Sequence, residues 1–186
     1  MTPRLPALCG IAGPVAFVAA WLVGGLRTAG YSPVDLTISQ LARDGAPTAP
    51  LMTAGFVAFG VLVPVYAVAL RRGLGSTGAQ VAATVSGLAT LGVAALPLSR
   101  QGAQPVDLWH AVAAGTGYVA QVLAPLLGGR ALSGRSRTAS YVVSATAALA
   151  LVGSVLVPEL NGGLQRLGLT VVDAWFVAVA VHLLRR

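Results

Sequence analysis

Apolar residues run along the chain in six stretches, 8–26, 51–70, 79–98, 108–127, 139–156 and 164–184. Each holds about the 20 residues needed to cross a hydrocarbon core about 30 Å thick. The pattern predicts an all-α polytopic membrane protein, six transmembrane helices in a compact bundle forming a single membrane domain over 1–186. Glycine, proline and polar residues punctuate the breaks at 73–78, 101–105, 128–137 and 158–163. The first stretch follows Arg4 and has the outline of a signal peptide. It exceeds the usual apolar core of about 7 to 15 residues, and is read as an uncleaved helix kinked at Pro14.

Composition sharpens this picture. Apolar residues make up 56% of the chain and charged residues 9%, whereas charge is about a quarter of an ordinary soluble domain. The net charge of +7 would suggest nucleic acid in a soluble protein. Here the arginines sit singly or in pairs at the ends of apolar runs, so the charge reads as membrane orientation and nucleic acid is excluded. Arg4, Arg71, Arg72, Arg130, Arg135, Arg137, Arg185 and Arg186 share one side with no acid. Arg27, Arg43, Arg100 and Arg166 stand on the other side against Asp35, Asp44, Asp107 and Glu159. The asymmetry predicts a plasma-membrane protein with both termini in the cytoplasm and the 27–50 loop outside. A lone Cys9 excludes disulfides, redox pairs and cysteine-held metals. No metal and no cofactor is expected, and the expected partner is the lipid bilayer.

Within the spans, small residues recur at helix-contact spacing, as at Ala83 and Gly87 or Ala16, Ala20 and Gly24. Asp173 is the one ionisable side chain in mid-span, where it costs about 2.5 to 3.5 kcal/mol on insertion scales. Arg166, Thr170 and Asp173 form a stripe on the sixth span, and His110, Ala114, Gly117 and Gln121 form one on the fourth. Packed together, the stripes predict an outward-open polar cleft. Asp107, His110 and Arg166 would stand at its mouth, Thr170 on its wall, and Asp173 and Gln121 deep inside. Glu159, Asn161 and Gln165 would join at the rim. The competing reading holds Asp173 by a structural hydrogen bond or by Arg100 or Arg166. His110 and His182 lie near opposite ends of their spans, which excludes a bis-histidine haem.

In the first outer loop, Ser32, Pro33 and Asp35 read as a helix start and Asp44-Gly45 as a stop. A short amphipathic helix is predicted between them, with Val34, Ile38 and Leu41 on one face and Asp35, Ser39 and Arg43 on the other. It would serve as a lid bringing Asp35, Gln40 and Arg43 to the cleft, or simply cover the bundle end. Pro33-Val34-Asp35-Leu36 recurs as Pro105-Val106-Asp107-Leu108, and both copies suit a helix start.

With these segments placed, the chain resembles the bacterial six-span membrane family known as domain of unknown function 998. The resemblance rests on Ile38-Ser39-Gln40-Leu41, His110, Gly163-Leu164-Gln165-Arg166, Trp175 and the closing Arg185-Arg186. It covers nearly the whole length. It implies a six-helix membrane protein, and it carries over no catalytic residue.

Three functions stay open on these residues. One is binding or translocation of a small amphipathic or lipid-like molecule in the cleft, with Asp173, Thr170, Arg166, His110, Gln121, Gln165, Glu159 and Asp35 as ligand-binding residues. A homo-oligomer would relieve the small size of such a bundle. Another is a membrane-embedded acid-base enzyme acting on a lipid or isoprenoid, with Asp173 as the candidate catalytic group. The third is an accessory subunit or scaffold.

Overall fold

A computed structural model describes residues 4–185, so Arg186, counted above with the cytoplasmic arginines, lies outside the described residues. Six long helices follow one another: α1 (Arg4–Arg27), α2 (Ala49–Leu74), α3 (Thr77–Ala95), α4 (Pro105–Gly129), α5 (Gly134–Leu156) and α6 (Asn161–Leu184). Each is long and apolar enough to cross a membrane, which makes the protein a multi-pass membrane protein. Short 3₁₀ turns lie at Ile38–Ala42, between α1 and α2, and at Pro158–Leu160, before α6.

The helix ends have local causes. Gly75 at φ 72° takes the left-handed conformation that ends α2, and its N–H returns to the Arg71 carbonyl. Ser76 Oγ then accepts the Ala79 N–H at 3.2 Å and opens α3. Asp107 opens α4 by accepting from Gln104 N at 2.9 Å, Ser99 N at 2.7 Å and Ser99 Oγ at 2.7 Å. Pro14, Pro64 and Pro125 all lie within continuous helices.

Every helix packs on its predecessor, and α6 closes the ring against α1. The bundle therefore has a terminal end, where α1 begins and α6 ends, and a loop end, which carries the 28–48 segment. Large aliphatic side chains such as Leu26, Leu149 and Val155 face outward, as lipid-bathed surfaces require. Small residues let the backbones approach. A Cβ built on Gly55 would lie 2.5 Å from Ala20 Cβ, and one on Gly168 would lie 2.7 Å from Leu151 Cγ. Phe17, Phe59, Tyr66 and Phe176 fill the centre, where the Tyr66 hydroxyl donates to the Phe176 carbonyl at 3.1 Å.

Candidate functional site

The 28–48 segment closes the loop end as a plug. Ile38, Ser39, Leu41 and Ala42 are all buried. The predicted short helix exists only as this 3₁₀ turn, and Ser39, expected on a polar outer face, points into the protein. The reason lies in α6. Arg166 Nη1 donates to the carbonyls of Pro33 and Leu36, each at 2.8 Å, and to Gly162 at 2.9 Å. Gly163 N donates to the Val34 carbonyl at 2.7 Å. Held by these contacts, the segment makes a single i to i+4 bond, from the Leu36 N–H to the Ser32 carbonyl at 2.9 Å, and does not continue as a helix.

Arg166 is buried, and Asp173 is not its partner. Its Nη2 donates to the Tyr31 hydroxyl, and its guanidinium lies 5.3 Å from the Trp21 ring centroid and 5.4 Å from that of Tyr31. Carbonyl dipoles and aromatic faces take the place of a counter-ion. Tyr31 donates in turn to the carbonyls of Leu36 and Thr37. Burial pushes its phenol above the usual range, against a smaller opposing pull from Arg166.

Two further side chains tie the plug down. His110 Nδ1 lies 2.7 Å from the Leu96 carbonyl oxygen, which can only accept, so Nδ1 carries the proton. Its Nε2 then accepts from Ser39 Oγ at 2.8 Å. Gln165 Oε1 accepts the Ile38 N–H at 2.8 Å, while its Nε2 donates to the Tyr118 hydroxyl.

Beneath the plug lies a small cavity of about 30 Å³, room for one or two waters. Five polar side chains reach it from four elements: Ser39 of the plug, Thr90 of α3, Tyr118 and Gln121 of α4, and Gln165 of α6. Phe17, Phe56 and Phe59 supply much of the apolar wall. Asp173 follows Gln165 by two turns on the same face of α6, about 12 Å further along the axis. It is 2% exposed, and neither carboxyl oxygen has a hydrogen-bond partner. Ser86 Oγ and Gln121 Oε1 are buried and equally without partners.

The sequence-derived cleft is thus corrected in three respects. It does not open outward, because the plug covers it. The α6 face turned to it carries Gln165 and Leu169 rather than Arg166 and Thr170; Thr170 is only half-buried and lines no part of the cavity. Glu159 and Asp35 are exposed and stay outside, while Asp107 is used in capping α4. Neither proposed arginine reaches Asp173, since Arg166 holds the plug and Arg100 Nε pairs with Asp44 Oδ2 at 3.3 Å on the surface.

Sequence reasoning passed over Tyr118, Ser86 and Thr90. Tyr118 falls eight residues after His110, on the stripe already drawn for α4, and Ser86 and Thr90 stand one turn apart on α3. Those spacings were the available signal. Among the described residues, no three His, Cys, Asp or Glu side chains gather into one group.

Fold and site together define a six-span helical membrane protein with a plugged polar interior. Residues 11–182 match the family described as "Protein of unknown function (DUF998)", and the chain belongs to that family. Neither the curated proteins nor the solved structures contain a match to it.

Proposed function

We propose that this protein binds or translocates a small amphipathic molecule at the polar interior, and that the fold described is its closed state. One observation carries the reading: Asp173, Gln121 and Ser86 bury polar oxygens with no partner inside a membrane bundle. Each such group costs about 1 to 3 kcal/mol when left unsatisfied. A scaffold gains nothing from that cost, whereas a site that exchanges a ligand or water for it does. The plug supports the same reading, because discrete hydrogen bonds to His110 and Gln165 and from Arg166 hold it in place. Among the described residues Asp173 has no hydrogen-bond partner with which to exchange a proton, so no observation favours the acid-base enzyme. We place the chain in a bacterial plasma membrane with its loop end outside, as the arginine distribution supports.

Cysteine accessibility tests the closed-state reading without knowledge of the ligand. In a Cys9→Ala background, Gln121→Cys should react slowly with a membrane-impermeant thiol reagent applied at the loop end. Adding His110→Ala should speed that reaction about tenfold, the effect of weakening the latch by about 1.4 kcal/mol. A cysteine that stays unreactive in both backgrounds would overturn the plug as a lid.

A further inference from the structure

Tyr118 faces two spaces at once. On one side it lines the polar cavity beneath the plug. On the other it lines an open groove of about 480 Å³ between α4 and α5, whose remaining walls include Gly115, Val119 and Val122 of α4 and Ala148, Val152 and Val155 of α5. That groove is apolar and faces the bilayer, with Val119 62% exposed and Val155 77% exposed.

The groove follows from how α5 is attached. Towards the terminal end, Ser144 Oγ donates to the Val122 carbonyl at 2.8 Å, and a Cβ on Gly129 would lie 3.0 Å from Ser140 Cβ, so α4 and α5 are close there. Towards the loop end nothing lies within 4 Å of a Cβ built on Gly115, and the two helices part. In that gap α6 meets α4 directly, through the hydrogen bond from Gln165 to Tyr118. Tyr118 is the residue shared by the walls of the two spaces, and Gln165 holds its hydroxyl.

We infer that the α4–α5 groove is a lateral entrance, gated by Tyr118, for a single-chain amphiphile with a primary ammonium head. This rests on the binding function proposed above and names its ligand class and route. The tail lies in the groove, and the head passes Tyr118 to reach the interior. Continuity fixes the occupant as amphiphilic, because a wholly apolar lipid has no use for the polar side of Tyr118. The unpartnered atoms of the interior fix the head. Gln121 Oε1 lines the cavity, and Ser86 Oγ and Asp173 Oδ1 and Oδ2 follow one helical turn beyond Thr90 and Leu169 of its lining. All can accept, so they call for a donor, and a cation also answers Asp173 once it is ionised. The unpartnered donors, Nε of Arg43 and of Arg166, belong to the plug and its anchor. The cavity fixes its size: about 30 Å³ admits a water-sized ammonium and excludes phosphate or trimethylammonium. Gln165 links the gate to the plug, since the same amide holds Tyr118 and the Ile38 N–H.

The probe is a long-chain primary alkylamine carrying a diazirine near the tail end, in phosphatidylcholine vesicles with the intact protein. Saturable photolabelling is expected within 115–123 and 148–156, about tenfold stronger than with the alcohol or trimethylammonium of equal chain length. Gly115→Trp, where open space accepts the added ring, should cut labelling about tenfold, and Val152→Trp provides a second way to fill the groove. Val61→Trp, on the lipid face of α2, should leave labelling unchanged. Asp173→Asn should abolish the preference for the amine. Equal, non-saturating labelling by amine and alcohol identifies ordinary bilayer lipid and overturns the inference. Labelling that survives both groove substitutions but falls with Asp173→Asn overturns the lateral route alone and leaves the interior site standing. Labelling lost on filling the groove but indifferent to Asp173→Asn makes the groove a lipid seat that does not feed the interior. The thiol-reactivity test of Gln121→Cys decides the closed-state reading separately.

Discussion

Two buried ionisable side chains in this bundle are treated in opposite ways. Arg166 donates through its two terminal nitrogens to three carbonyls and a phenol beneath two aromatic faces, and only its Nε is left without a partner. Asp173 has no partner at all. Removing the two should therefore have opposite effects. Asp173→Leu should stabilise the purified protein by about 1 to 4 kcal/mol, the range seen when buried charges give way to apolar groups. A lower apparent Tm in detergent would show that the carboxyl holds the bundle together. Arg166→Lys should destabilise, because an ammonium cannot reproduce the planar fork and would leave carbonyls of the plug unmatched at about 1 to 3 kcal/mol each. Its readout is faster proteolytic nicking within 33–37 than in the unaltered protein. Asp173 was legible in the sequence because a charge inside an apolar run stands out whatever its surroundings. Arg166's task was not legible: its acceptors are backbone carbonyls up to 133 residues away, and a carbonyl carries no side-chain signature.

At the level of elements, six helices were legible and the plug was not. Span lengths follow from the thickness of hydrocarbon, so each apolar run announced its own helix. The plug's shape depends on what reaches it from α4 and α6, and local pattern alone suggested an amphipathic helix there. Gly162 shows the constraint. A Cβ at this position would strike the Leu36 carbonyl and lie 2.8 Å from that of Pro33. Gly162→Ala should therefore lift the plug at a cost of about 1 to 3 kcal/mol, seen as faster thiol modification of Gln121→Cys. Gly168→Ala meets Leu151 instead and should loosen α5 from α6, lowering apparent Tm without changing that reactivity. If both glycine variants behave alike, the plug is not an independent element.

For the whole molecule, the ring of sequential neighbours and the even number of described spans put the start of α1 and the end of α6 at the same end. The arginine count predicts which side that is. In a Cys9→Ala background, Gln101→Cys at the loop end should be labelled from outside intact cells and Ala131→Cys at the terminal end should not. The reverse pattern would invert the protein. Closure of the ring also has a consequence for synthesis. The carbonyls of Pro33, Val34 and Leu36 are made early, but the groups that bind them arrive on the last helix, 130 residues after Leu36 in the case of Arg166. At about 5 to 20 residues per second, the segment after α1 waits roughly 6 to 26 s for its partners. A chain stopped before α6 should expose 33–37 to protease while the complete chain protects it, and protection in the truncated chain would show that α6 is not needed. Arrival of α6 is then itself what shuts the protein, and a chain released before α6 is left with its loop end open.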